Sequence, residues 1–77
     1  MSLMGVDVGT TGVKAVAFDE RGRLLASAYE EYPLLFPFPG ANELHSQGVV
    51  DAALRVMAAV AGEVAGADPV AAIGVAS

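Results

Sequence analysis

The sequence predicts an α/β fold, a partial β-β-β-α-β unit built on one mixed sheet. Three observations predict it. Apolar runs at 3–8 and 13–18 are separated by Gly9-Thr10-Thr11-Gly12, and the polar turn Asp19-Glu20-Arg21-Gly22 leads into a third extended run. After Ser46 the apolar spacing lengthens from two residues to three and four, the change from strand to helix. The helix is followed by Asp68-Pro69 and a short uncharged run at 70–76, which has the form of a fully buried strand.

The first strand, Leu3 to Val8, is apolar except for Asp7 near its end. In the second, Val13, Ala15 and Ala17 share one face and Lys14, Val16 and Phe18 the other. Lys14 alone therefore interrupts a strand otherwise fit for burial on both sides. The third strand runs from about Arg23 to Tyr32 and completes an antiparallel meander. Pro33, Pro37, Pro39 and Gly40 then forbid regular pairing, and Tyr32, Phe36 and Phe38 among them mark an extended loop lying on the domain. Ser46 is placed to cap the helix and Gly66 to stop it. Its expected core stripe is Val49, Val50, Ala53, Leu54, Met57, Val60, Ala61 and Val64. A helix between two strands makes a crossover, so the fourth strand is expected parallel to the first, in the order third, second, first, fourth. One sheet edge is then left uncovered at the fourth strand, and the expectation is that these residues open a larger domain.

Of 77 residues, 55% are hydrophobic and none is cysteine. That apolar fraction argues against disorder. A chain of this length buries only about 60% of its unfolded surface and has no disulfide to compensate, and the lack of cysteine agrees with a cytoplasmic setting. Asp51, Arg55, Glu63 and Asp68 interrupt the alanine-rich half well short of the roughly 18 apolar residues of a membrane span. No charged n-region with an apolar h-region stands before Asp7, so a secretory leader is not expected. Met1-Ser2-Leu3, ahead of a second methionine at Met4, reads as an expression scar, and Met1 and Ser2 are left out of the functional reading. Nine acids oppose Lys14, Arg21, Arg23 and Arg55, a net charge of -5. This balance offers no footprint for nucleic acid or an anionic membrane, while a small phosphate ligand held by backbone amides stays compatible.

The densest chemistry lies in Asp7-Val8-Gly9-Thr10-Thr11-Gly12-Val13-Lys14. Gly9 and Gly12 permit positive φ and close approach to a ligand. Amides around Gly9, Thr10 and Thr11, with the two hydroxyls, can converge on phosphate oxygens. Asp7, ending a central strand, offers carboxylate oxygen to Mg²⁺, and Lys14 can neutralise a phosphoryl group in transfer. A plain hairpin turn with one acid and one lysine at its rim fits the same residues. A Walker loop does not, because no Gly-Lys-Ser/Thr opens a helix.

The same octapeptide, with Ala15-Val16-Ala17-Phe18-Asp19 and the Gly22 turn after it, resembles the opening of the FGGY carbohydrate kinases, within the ribonuclease H-like superfamily of actin, sugar kinases and Hsp70 ATPases. Pro37-Phe38-Pro39-Gly40, Glu43, the helix and Ala72-Ile73-Gly74-Val75-Ala76-Ser77 are similar in order to that family, especially its xylulokinase and gluconate kinase-like branches. Asn42 before Glu43, His45-Ser46 in place of Asp-Pro, and Val49-Val50 in place of tryptophan depart from the family pattern. The resemblance implies the amino-terminal part of a first actin-like domain and an ATP- and Mg²⁺-dependent phosphorylation of a sugar, polyol or sugar-acid hydroxyl. In it Asp7 would serve the metal, Gly9, Thr10 and Thr11 the phosphates, and Lys14 the developing charge. The general base would be a second aspartate further along the chain, a role that Asp19, Asp51 and Asp68 do not fit from their turn and helix positions. No catalytic residue is therefore expected within 1–77, and homodimerisation is left open. Two alternatives stand beside this one: an actin-like or Hsp70-like ATPase using the turn for conformational change, and a non-catalytic fragment acting through its sheet edge.

Other residues carry less. His45, the sole histidine, has no neighbouring ligand type and reads as a surface or capping residue. Glu43 is either a solvated loop acid or, by resemblance, an anchor for the loop near a sugar cleft. Tyr29, Tyr32, Phe36 and Phe38 could stack on a sugar ring, although packing of the loop against the sheet is the simpler use. Ser77 follows the strand beside Asp7, at the edge where open α/β sheets place ligands.

Overall fold

The computed structural model describes residues 1–32 and 46–77. The proline-rich loop with Phe36 and Phe38, Glu43, His45 and the side chain of Ser46, expected as a cap, lie outside the described residues. Strands β1 (Ser2–Val8), β2 (Gly12–Phe18) and β3 (Leu24–Glu31) precede helix α1 (Ser46–Val64) and strand β4 (Val70–Ala76). They form one four-stranded sheet ordered β3-β2-β1-β4, antiparallel across β3-β2-β1 and parallel between β1 and β4. The topology is the expected one.

The core lies between α1 and one face of β2 and its neighbours. Val13, Ala15 and Ala17 are fully buried there, joined by Met4 and Val6 from β1 and Ala26 from β3. Ala15, Ala17 and Ala26 among them are small, which favours a close fit of the helix and bears on which helical residues go inward. Ala52, Val56, Val60 and Val64 form the buried line, four residues apart, flanked by half-buried Val49, Ala53, Met57 and Ala61. The expected stripe needs correcting by a rotation of the helix. Val50 and Leu54 point to solvent, and Ala52 and Val56 take the inner positions. Periodicity weighted by side-chain size misplaces the face because an alanine-lined sheet receives alanine and valine best.

Three further expectations change. The fourth strand, expected to be fully buried, is exposed almost throughout, with Ile73 and Val75 among the exposed apolar side chains. The cause is the placement of α1, which packs on β2 and β3 and only touches β1. The helix ends at Val64, two residues before the expected stop at Gly66, which takes no positive φ; Ala67 and Asp68 donate their N–H groups to the Val64 carbonyl at 3.1 and 2.7 Å. Finally, β1 begins at Ser2. Its side chain is buried, its Oγ donates to the Asp68 carbonyl at 2.7 Å and its N–H to the Pro69 carbonyl at 2.9 Å. Ser2 thus ties the start of β1 to the turn before β4.

The polar turn is built on Asp19. Its Oδ1 accepts the N–H groups of Arg21 and Arg23, each at 2.9 Å, and its Oδ2 accepts Arg23 Nε at 2.8 Å. The Arg23 amide, with the guanidinium and the Arg21 amide behind it, holds the Asp19 carboxyl below the ordinary aspartate value. Gly22 supplies the one positive φ among the described residues, 82°, that closes this turn.

Candidate functional site

Strand alternation separates the two faces of the sheet. Met4, Val6, Val13 and Ala15 face α1, so Gly5, Asp7, Lys14 and Val16 face away from it. On that outer face an open cleft of about 460 Å³ is lined by Gly5, Asp7, Lys14, Val16, Gly74 and Ala76, among others. Asp7 and Lys14 in that lining flank the glycine-threonine turn in sequence.

Pairing brings the sequence-predicted residues together there. Asp7 lies opposite Lys14 across β1 and β2, and beside Ala76 across β1 and β4. Both Asp7 and Lys14 are exposed, and among the described residues neither closes an ion pair. Two opposite charges are thus held a strand apart at the carboxyl ends of the parallel strands β1 and β4, with Ser77 one residue beyond. This is where open α/β sheets bind ligands. Asp19 and Asp68 sit at the other end, since Leu3 pairs with Phe18 and Ser2 with Val70. A strand's length, about 20 Å at ~3.3 Å per residue, keeps them from the turn.

The turn's internal bonding corrects one part of the expectation. The Gly9 N–H donates to the Gly12 carbonyl at 2.9 Å, so it closes the hairpin and is not free for a phosphate. Thr10 and Thr11 are left as the loop tip, both exposed, with the Thr11 carbonyl accepting the Tyr32 N–H at 3.0 Å. Neither Gly9 nor Gly12 takes a positive φ. What requires glycine at 12 is space: a Cβ there would stand 2.5 Å from Tyr29 Oη and 2.7 Å from the Glu30 carbonyl oxygen. Gly9 is tight in a milder way, its Cβ falling 3.3 Å from the Gly12 oxygen.

Tyr29 is the site residue that the sequence leaves unassigned to the turn. It pairs with Lys14 across β2 and β3 and is half exposed on the outer face. Alternation along β3 signals its face, but only the register, with its shift between Ala17 and Phe18, signals its neighbours. Tyr32 goes into the core, as packing predicts. Burial raises its phenol pKa, with the nearby charges of Tyr29 and Asp7 adding to the effect, and the hydroxyl has no hydrogen-bond partner among the described residues.

The oxygen donors present suit a hard divalent cation. Among the described residues no three of His, Cys, Asp or Glu gather into a ligand set. A single carboxylate such as Asp7 would nonetheless suffice for Mg²⁺, which keeps several waters and takes its other ligands from substrate phosphates.

The charged, glycine-closed turn thus stands at the carboxyl ends of the parallel strands of an open α/β sheet, the edge where such sheets place ligands. Residues 2–77 match the family described as the FGGY family of carbohydrate kinases, N-terminal domain, and the chain belongs to that family. It is 37% identical over 59 residues to a glycerol kinase of Gloeobacter violaceus, covering 77% of this chain and 12% of that protein. To a glycerol kinase of Bacillus velezensis it is 34% identical over 74 residues, 95% of this chain and 15% of that protein. Among solved structures, the crystal structure of gluconate kinase from Lactobacillus acidophilus matches with a TM-score of 0.73 and 28% identity, over 97% of this chain and 15% of that one. The sheet is therefore a partial actin-like, ribonuclease H-like unit. The chain spans less than a sixth of the length of these relatives. Among the described residues no helix is long and apolar enough to cross a membrane.

Proposed function

We propose that the protein transfers the γ-phosphoryl group of ATP to a hydroxyl of a small polyhydroxylated acceptor, a sugar, polyol or sugar acid, in the cytoplasm. In this reading the stretch 7–14 holds the phosphates. The observation that carries it is the exposed Asp7 and Lys14 pair flanking the Thr10-Thr11 tip at the carboxyl ends of β1 and β4. Glycerol kinase and gluconate kinase relatives support an acceptor of this chemical class. Membership in a carbohydrate kinase family favours phosphoryl transfer over an actin-like or Hsp70-like conformational ATPase.

The reading gives each of these residues a role suited to its place. Asp7 would hold Mg²⁺ through carboxylate oxygen, directly or through water. Bound there, the ion would neutralise part of the charge on the nucleotide's phosphates. The hydroxyls and amides of Thr10 and Thr11 donate to phosphate oxygens, and Gly9 contributes by its missing side chain, since its N–H is already committed to Gly12. Lys14 places a cation on the same face, where negative charge accumulates on the group in transfer. In such reactions position and fixed charge supply most of the acceleration. Asp19 and Asp68, at the far end of the sheet, cannot take the acceptor's proton, and the base is assigned to a residue outside 1–77.

The test is Asp7→Asn in the full-length protein, assayed with ATP against glycerol, gluconate, ketoses and pentitols. Turnover should fall by about two orders of magnitude or more, the scale seen when one fixed electrostatic contact is removed. Because Asp7 is exposed, the thermal midpoint should stay where it was. Substantial remaining turnover would reject the assignment.

A further inference from the structure

Across the outer face of the sheet, Asp7, Lys14 and Tyr29 are successive register partners on β1, β2 and β3. Tyr29 does not stand squarely over Lys14. Its Oη and Cζ lie 2.5 and 2.7 Å from the position a Cβ on Gly12 would occupy, so the ring leans along β2 toward the turn. A ring laid on a strand glycine shields bare backbone, and phenylalanine would do that equally well. The phenol adds a donor, carried on a half-exposed side chain and set at the base of the loop whose tip is Thr10-Thr11.

We propose that the Tyr29 hydroxyl donates a hydrogen bond to a phosphate oxygen held at the Thr10-Thr11 turn, which makes β3 the third strand to contribute to the phosphate site. This rests on the turn's role as a phosphate cradle. Geometry supports the contact in two ways. The hydroxyl is at the turn end of the sheet, on the face that Asp7 and Lys14 share. The ring is also confined from below by Gly12, which limits the directions the hydroxyl can take and lowers the entropy lost on binding. Tyr32, by contrast, is buried in the core and offers no exposed donor.

The experiment is Tyr29→Phe in the full-length enzyme, with KM measured separately for ATP and for the acceptor. Loss of one neutral donor to a charged oxygen at a partly exposed site should raise the KM for ATP about fivefold to tenfold. The acceptor KM and the thermal midpoint should not move, because the ring still covers Gly12. A Tyr29→Phe enzyme with an unchanged KM for ATP and unchanged kcat overturns the contact and leaves only the shielding role. The two readings fail separately. An inactive Asp7→Asn enzyme beside an unaltered Tyr29→Phe enzyme removes the Tyr29 contact alone. An active Asp7→Asn enzyme, or no ATP-dependent phosphorylation across the acceptor panel, removes the cradle and the contact with it.

Discussion

On one face of β2, Val13, Ala15 and Ala17 have no accessible surface beneath α1; on the other, Lys14 stands exposed between Asp7 and Tyr29. The inner residues carry no chemistry, yet they decide where the chemistry goes. Strand side chains alternate, so a slip of one residue would turn Lys14 into the core and an alanine out toward the cleft. Burying a lysine without a partner is far costlier than exposing an alanine. The packed face therefore pins the register, and the register aligns the carboxylate, the ammonium and the phenol in one row. The site's precision comes from residues that never approach a ligand.

After the loss of turnover expected for Asp7→Asn, the largest effect should come from Gly12→Ala, which presses on both the Tyr29 ring and the β3 backbone. The phenol of Tyr29 can swing aside from the new Cβ, but the Glu30 carbonyl, 2.7 Å away, belongs to the ladder and cannot. Overpacking of this kind costs about 1–3 kcal/mol. It should appear as a lower thermal midpoint and faster amide exchange at the start of β2, with a raised KM for ATP. Adding Tyr29→Ala should restore only part of the stability. Full restoration would mean that the ring alone imposes glycine and that the backbone contact is relaxed.

The helix gives a contrast of similar size within one element. Val60 is fully buried and Leu54 is 57% exposed, although both belong to the stripe that sequence periodicity assigns to the core. Val60→Ala should cost about 2 kcal/mol through lost burial and a small cavity, against less than about 0.5 kcal/mol for Leu54→Ala. Equal losses at the two positions, read from the denaturation of the full-length protein, would put the rotated helix face in error.

What was legible in the sequence follows from which interactions are local. Strand, turn and helix boundaries come from period and from Gly, Pro and Asp, so β1, β2, β3 and β4 fall within a residue of their expected bounds. The crossover rule then yields the sheet order. The Asp7 to Lys14 juxtaposition is legible too, because a short hairpin leaves little freedom of pairing. Illegible parts depend on distant surfaces. The rotation of α1 is set by the small residues Ala15, Ala17 and Ala26 beneath it, and the exposure of Ile73 and Val75 by where the helix lies. Tyr29 over Gly12 needed the register of β3, which the irregular Asp19 turn hides from any count along the chain. The assignment of Gly9 to close the hairpin is a hydrogen-bonding choice between two equally local uses of one N–H group.

The smallest expected effect concerns an ion pair that joins α1 to the strand carrying Tyr29. Arg55 Nε donates to Glu30 Oε1 at 2.8 Å, and its Nη2 reaches Oε2. Chiefly through that hydrogen bonding, the Glu30 carboxyl is held below its ordinary value of 4.5. The unfolded chain keeps the ordinary value. The pair's stabilisation is thus complete above 4.5 and disappears as the pH falls through the lower folded value. Both partners are partly exposed, and screening by solvent and salt keeps the contribution modest. Wild type should accordingly be slightly more stable than Glu30→Gln near neutral pH, and the two should converge on acidification. Local amide exchange in β3 and α1, followed from about pH 6 downward, reads this directly. A difference that persists below the folded pKa would mean that Glu30 acts by shape, and the clamp between the packed face and the strand that carries Tyr29 would not be electrostatic at all.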